Sequence, residues 1–309
     1  MGMICVPTTF IMGFDFTKTD NISGASEILS RTAEYWIDDI ASMQPSSVRR
    51  ALTTIRHRGL FIIQLYPRMA PLFHLVNRVL LSCNQAASVD ELKQNAHAEI
   101  ELSLKDLEKA KSALIPFARN LLASGSHVFI YSRSGVVLSI LKNLHREGLE
   151  ISVLTTEARP AHEGLRVAEE LLREKIKVEL FVDAAMQDAV AMCDCVLIGA
   201  DTFSNEIVVN KIGTTALALL AREHKKPVYC FTTMNKYVPP EFKQPSEKDH
   251  EASEVWPGAP AGVHIHNKYF ENTPMHLLKN VITEAGYFDA DNQSPGKKYH
   301  IDEWLRDQL

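Results

Sequence analysis

Cys195-Val196-Leu197-Ile198-Gly199-Ala200-Asp201 is a short, continuous apolar run that ends on a carboxylate. Such a run fits a strand buried on both faces, because a strand with one wet face would alternate apolar and polar residues. Four more runs of this kind flank it, at 127–132, 150–157, 177–183 and 227–233. Stretches at 136–146, 161–174, 186–192 and 214–224 have helical periodicity and separate most of the runs. Strands alternating with helices predict a parallel sheet covered on both faces, with right-handed crossovers. Residues 125 to about 290 are therefore expected to form a doubly wound α/β fold.

Before residue 125 the period is that of helices. Ile28, Ala33, Trp36, Ile37 and Ile40 recur at roughly helical spacing within 22–42, and 48–83 reads as one or two helices interrupted at Pro67 and Pro71. Ser88-Val89-Asp90-Glu91 is a capping box, with Ser88 accepting from the third amide and Glu91 reaching back. The helix it opens is expected to run toward Leu122, with Leu92, Ile100, Leu104, Leu107, Ala110, Leu114 and Phe117 on its apolar face. The expected organisation is a helical N-terminal domain, 1–124, followed by a Rossmann-like domain, 125–309. Residues 245–262 read as an exposed loop.

Composition narrows the function classes. Lys and Arg number 33 against 38 Asp and Glu, a net charge of -5, so a globally basic nucleic-acid surface is excluded. The most apolar region, 60–83, is broken by Pro67, Arg68, Pro71 and Arg78, so no membrane span is expected. Residues 1–6 carry no basic n-region and Val6 breaks the myristoylation pattern, so neither a secretory signal nor N-myristoylation is expected. The cysteines, Cys5, Cys83, Cys193, Cys195 and Cys230, are odd in number with no zinc spacing, which fits a reduced, cytoplasmic compartment.

In an open parallel sheet, ligands bind beyond the carboxyl ends of the strands. That rule selects Ser132, Arg133 and Ser134 after the first strand, Glu157 and Arg159 after the second, Asp183 and Asp201 after the third and fourth, and Thr232 and Thr233 after the fifth. Neither G-x-G-x-x-G nor G-x-x-x-x-G-K-[ST] follows any of these strands. Ser132-Arg133-Ser134-Gly135 offers hydroxyls, a cation and a helix N-terminus to a phosphate, or is a simple N-cap. Asp201, part-desolvated, suits proton transfer near neutral pH, or a loop hydrogen bond. Lys211, expected to begin the next helix, either binds an anion or is solvated. Arg159 either forks onto phosphate oxygens or pairs with Glu157 or Glu163. His264 and His266 share a face of an extended segment, but no third ligand has matching spacing and no metal is expected.

Taken together these segments resemble the initiation factor 2B alpha/beta/delta family. The resemblance rests on Thr156-Glu157-Ala158-Arg159-Pro160 with Gly164, on Val196–Asp201 followed by Asn210-Lys211-Ile212-Gly213-Thr214, and on the tail around Asn267, 270–274 and 282–286. Ile22-Ser23-Gly24-Ala25 is similar to the family's N-terminal Gly-Ala element. The family holds two classes: regulatory subunits of a translation-initiation guanine nucleotide exchange factor, and aldose–ketose isomerases acting on methylthioribose 1-phosphate or ribose 1,5-bisphosphate. The resemblance implies a helical domain on a Rossmann-like domain and a homodimer or higher oligomer, with related subunits as partners in the regulatory class. It implies a pocket for a phosphorylated sugar or nucleotide and no cofactor. The implied ligand-binding residues are Gly24, Ala25, Arg133, Ser134, Glu157, Arg159, Asn210 and Lys211, with Asp201 and Ser132 at the catalytic positions.

The departures bear on activity. Ser132 stands where the isomerases carry a catalytic cysteine, and a hydroxyl is far less acidic than a thiol of pKa about 8.5. A shift of one or two residues instead aligns Ser132-Arg133 with a Ser-Arg pair of the regulatory subunits. Ser23 replaces an arginine, and Gln44-Pro45-Ser46 stands for Arg-Pro-Thr, so two phosphate-clamping arginines are missing, with Arg133 or Arg50 as candidate substitutes. Ser204-Asn205-Glu206 lacks the glycines of its loop. Both a sugar-phosphate isomerase and a non-catalytic regulatory subunit remain open on these residues.

Overall fold

The computed structural model describes residues 24–238, 246–288 and 300–308. Cys5, Ile22, Ser23 and the first residue of the expected 245–262 loop lie outside them. Among the described residues, no helix is long and apolar enough to cross a membrane.

The chain opens with helices α1 (Ala25–Ser42), α2 (Val48–Leu65), α3 (Ala70–Cys83), α4 (Val89–Ala113) and α5 (Ile115–Leu121). Trp36, Ile55, Leu72, Val76, Leu80, Leu92 and Ile100 form the shared core of α1–α4, whereas Ala118 of α5 packs with Val137 and Leu141 in a core of the sheet domain. The expected single helix from 88 to 122 is two, because Pro116, in the first turn of α5, provides no amide hydrogen to continue the ladder. Ser88 Oγ accepts from the Glu91 amide at 3.1 Å as read, while the Glu91 carboxylate reaches one residue further back, to the Ala87 amide at 2.7 Å.

There follow β1 (Ser126–Ile130), α6 (Gly135–Arg146), β2 (Ile151–Thr156), α7 (Glu163–Arg173), β3 (Lys177–Phe181), α8 (Met186–Met192) and β4 (Cys195–Ile198). Then come β5 (Thr202–Phe203), β6 (Ile207–Lys211), α9 (Thr214–Glu223), β7 (Val228–Phe231), β8 (Phe270–Pro274), β9 (Asn280–Thr283), β10 (Gly286–Tyr287) and α10 (Glu303–Arg306). One sheet has the order β10-β9-β7-β4-β1-β2-β3, with every pairing parallel except β10 to β9. Alternate residues of β1 enter different cores. Val128 and Ile130 pack with Val137, Leu141 and Val167 on one face, and Phe129 packs with Val190, Leu217 and Phe203 on the other. The central strands are thus buried on both faces, which is why they are continuously apolar. The run at 177–183, read as the same kind of strand, forms the edge strand β3, which is exposed and carries Lys177 and Glu179. The chain runs outward through β1, β2 and β3 and then returns to place β4 on the other side of β1, so the strand order reverses between β1 and β4.

A second sheet, β5-β6-β8, is antiparallel and was not expected. It corrects the reading of Asn210 and Lys211 as the start of a helix: both lie on β6, and the helix begins at Thr214. Val208 and Val209 are β-branched, and β8 supplies the partner strand from 60 residues on, a pairing invisible to local periodicity. Leu305 of α10 is buried in the core of the N-terminal helices, with Ile301 and Trp304 against it.

Candidate functional site

Two glycines let three segments converge at the strand-order reversal. A Cβ on Gly24 would lie 2.9 Å from the Arg133 carbonyl, so the start of α1 can touch the β1–α6 turn only without a side chain. A Cβ on Gly199 would lie 2.3 Å from Ser134 Oγ, which admits the end of β4 to the same turn. Within that turn Ser132 takes a left-handed φ of 61°, and Ser134 caps α6 by accepting from the Val137 amide at 3.4 Å.

A cavity of about 530 Å³ opens there. Gly24, Ala25, Ser132, Arg133, Ser134, Asp201 and Asn210 all border it. Asp201 is buried and accepts a hydrogen bond from the Ala25 amide at the N-terminus of α1. Burial pushes its carboxyl above the ordinary 3.8, opposed by the charge of Lys236, the Ala25 amide, and the charges of Lys211 and Arg68. Its own amide donates to the Val209 carbonyl at 2.9 Å, so the second sheet holds it in place.

Glu157, Arg159 and Lys211 do not line the cavity. The Arg159 guanidinium donates to the Val255 carbonyl at 3.0 Å, and the Ala158 and Arg159 amides donate to the Asp183 carboxylate at 3.0 and 2.7 Å. Glu157 faces His162 at 3.7 Å. Lys211 is only 2% exposed; its Nζ lies 2.5 Å from Glu163 Oε1 and 5.2 Å over the Tyr269 ring. The N-terminus of α9 is occupied by the Glu271 carboxylate, which accepts from the Gly213 and Thr215 amides at 3.1 and 2.6 Å. Arg133 reaches the cavity, but its guanidinium is paired with Glu27 and, at 2.7 Å, with Glu170. Arg50 does not border it; it is exposed and bonded to Ser46 at 3.1 Å.

The residues that replace these were not singled out from sequence. Lys236, buried, donates from Nζ to the Ala200 carbonyl at 2.5 Å beside Asp201. Burial lowers its pKa, and the Asp201 charge pulls it back up. It lies just past Thr232 and Thr233, within reach of the strand-end rule. Arg68 is delivered by a long-range tie: Thr202 Oγ1 donates to the Arg68 carbonyl at 2.8 Å and accepts from the Ala70 amide at 3.0 Å. Its side chain contacts Asn272 and lies 3.6 Å from Glu247. In the sequence it served only to exclude a membrane span. Glu163, at the start of α7, borders the cavity, and among the described residues its Oε2 has no hydrogen-bond partner. Burial raises its pKa; the charge and hydrogen bond of Lys211 oppose this, and the Asp201 charge adds to it. The segment read as an exposed loop contributes Glu247, Lys248, Asp249 and His250 to the cavity wall, with His250 stacked on Tyr269 at 3.7 Å.

A site of this kind, with two buried carboxylates, converging cations and helix N-termini, suits a polar, anionic small molecule that undergoes proton transfer. The family model described as the initiation factor 2 subunit family matches residues 21–290. The ribose 1,5-bisphosphate isomerase of Methanocaldococcus jannaschii is 30% identical over 278 residues, which cover 88% of this chain and 89% of that protein. A putative translation initiation factor eIF-2B subunit 2-like protein of Pyrococcus furiosus is 28% identical over 282 residues, covering 91% and 96%. The crystal structure of the Pyrococcus horikoshii OT3 translation initiation factor eIF-2B superposes with a TM-score of 0.74 at 25% identity, covering 86% of this chain and 91% of that one.

Proposed function

Because the chain belongs to the initiation factor 2 subunit family, we propose that it is an aldose–ketose isomerase of a phosphorylated pentose, with Asp201 and Glu163 as its acid and base. Asp201 carries the reading: a buried carboxyl with a raised pKa, held at the cavity wall by the Ala25 amide, is poised to give and take a proton. Glu163 borders the same cavity and supplies the second group in place of the thiol that Ser132 lacks.

Protonated Asp201 gives its proton to the ring oxygen as the bond between that oxygen and C1 breaks. The Glu163 carboxylate takes the proton from C2, forming an enol across C1 and C2. The same proton returns to C1, and the C2 hydroxyl proton passes to Asp201, leaving the ketose and both carboxyls as they began. Arg68, Lys236 and Lys248 supply positive charge to the phosphate, together with the amides of the turn at Ser132–Ser134. A net charge of -5 is compatible with this anion because these cations lie at one end of one sheet.

The test is isomerisation of ribose 1,5-bisphosphate and methylthioribose 1-phosphate, followed by NMR at C1 and C2. Asp201→Asn and Glu163→Gln are each expected to lower kcat by about 10²–10⁴-fold while ligand binding survives. Absence of turnover by the native chain on both sugars, or unchanged kcat in both variants, overturns the reading. Ser132 favours a second one, a regulatory subunit that binds the ligand without converting it. Thermal stabilisation by the sugar without turnover, or co-purification with related subunits, would support that instead.

The same reading places the chain in the cytoplasm, which the buried free thiols of Cys83, Cys193, Cys195 and Cys230 support. It also makes it a homodimer joined through β3. This edge strand is exposed at Lys177, Glu179 and Leu180 (47%), and Val182 just past its end (57%) and Leu172 of α7 (58%) are accessible too. An open edge with exposed apolar side chains at Leu180, Val182 and Leu172 is suited to a second copy of the chain.

A further inference from the structure

His264 and His266 lacked a third ligand in the sequence, and the fold supplies one. The chain between 249 and 264 bends back so that Asp249 comes to the two imidazoles. One ligand atom from each of the three residues lies within 4.8 Å of the others. The imidazole rings meet edge to face at 4.5 Å, and His266 Nδ1 is 3.5 Å from Asp249 Oδ2. The other carboxylate oxygen, Oδ1, accepts the Asn267 amide at 2.9 Å, which orients the group from behind, as outer hydrogen bonds do in metal sites.

We propose that Asp249, His264 and His266 bind a divalent transition-metal ion of the zinc class, a site separate from the isomerase chemistry. Two imidazoles and one carboxylate, without a thiolate, form a ligand set for zinc, cobalt or nickel rather than for calcium or magnesium. In a tetrahedral shell of radius about 2.1 Å the ligand atoms lie about 3.4 Å apart. Small rotations of three exposed side chains close that gap without moving the core. The fourth position is open to water. Asp249 also borders the cavity, so the ion fastens the 246–250 wall to the 264–267 segment behind it. It acts there as a clip, and no step of the proton transfer passes through it.

The full chain, free of any affinity tag and stripped with a chelator, is titrated with Co²⁺ and, in parallel, with Zn²⁺ by calorimetry. One equivalent of Co²⁺ is expected to give the intense visible absorption of a tetrahedral nitrogen-oxygen site, displaced by one equivalent of Zn²⁺. His264→Ala and His266→Ala are each expected to weaken binding by at least about 100-fold, beyond the loss that outer-shell partners cause. Asp249→Asn is expected to weaken it less, because an amide oxygen remains a poor ligand. Both imidazoles are exposed, so the variants fold, and circular dichroism checks this. The chain has 12 histidines, so unchanged affinity in the His264→Ala/His266→Ala double variant would place any bound metal elsewhere and overturn the proposal. The absence of saturable one-to-one binding by the native chain overturns it equally.

Discussion

Gly164→Ala should destabilise this protein, against the usual preference of helices for alanine. Gly164 lies in the first turn of α7, where alanine is ordinarily favoured by up to about 1 kcal/mol. Here an added Cβ would sit 1.7 Å from the Thr156 carbonyl oxygen at the end of β2, and that oxygen is backbone. Helix and strand must part by more than about 1 Å to clear the overlap. Overpacking of this sort costs about 1–3 kcal/mol. The shift also pulls Glu163, one residue earlier, from its 2.5 Å contact with Lys211. Separating a buried pair outright costs about 3–5 kcal/mol, so even partial loss brings the total to about 3 kcal/mol or more. For a chain of 309 residues the midpoint of thermal unfolding should fall by about 5 °C. Gly135→Ala is the control: it too lies in a first helical turn, but nothing lies within 4 Å of the added Cβ, and no loss of stability, or a gain of up to about 1 kcal/mol, is expected. Differential scanning calorimetry of the two variants decides it. A fall below about 2 °C for Gly164→Ala, or equal falls for both, would refute the close-approach argument.

His74 donates from Nε2 to the Tyr237 carbonyl at 2.7 Å, and burial lowers its pKa to about 4, with the hydrogen bond opposing and the Arg78 charge assisting. Its contribution to stability is whole above the unfolded value of 6.5 and is lost as pH falls toward 4. Urea unfolding at pH 7 and pH 5 should therefore show a loss of about 2 kcal/mol that His74→Gln does not share, and parallel losses would disprove the assignment. At the sheet edge, Leu180→Arg with Val182→Arg should convert a dimer to a monomer by light scattering; an unchanged mass would remove β3 from the interface.

Much of this was legible locally. The sheet strands were readable because two-sided burial leaves no polar alternation, as in Val196-Leu197-Ile198, and the strand-end rule then reached Ser132, Ser134 and Asp201. Asn210 was reached through its motif, although its element was misread, because the partner that makes β6 a strand is 60 residues away in β8. Arg68 was invisible as a site residue: what brings it to the cavity is a hydroxyl on Thr202, 134 residues along the chain. Arg159 shows the converse. Its motif is intact, but the Val255 carbonyl holds its guanidinium away from the cavity.

The division follows the range of the interactions. Burial pattern, caps and turns act over a few residues, so the order of helices and strands, the doubly wound sheet and the position of Asp201 were properties of the linear chain. Which charges meet at the cavity depends on packing between distant segments. Only the folded molecule could pair Lys211 with Glu163, set Lys236 and Arg68 beside Asp201, and bring Asp249 to His264 and His266. Each of these is a buried or clustered charge whose energy depends on a partner far away in sequence, and no local pattern encodes that partner.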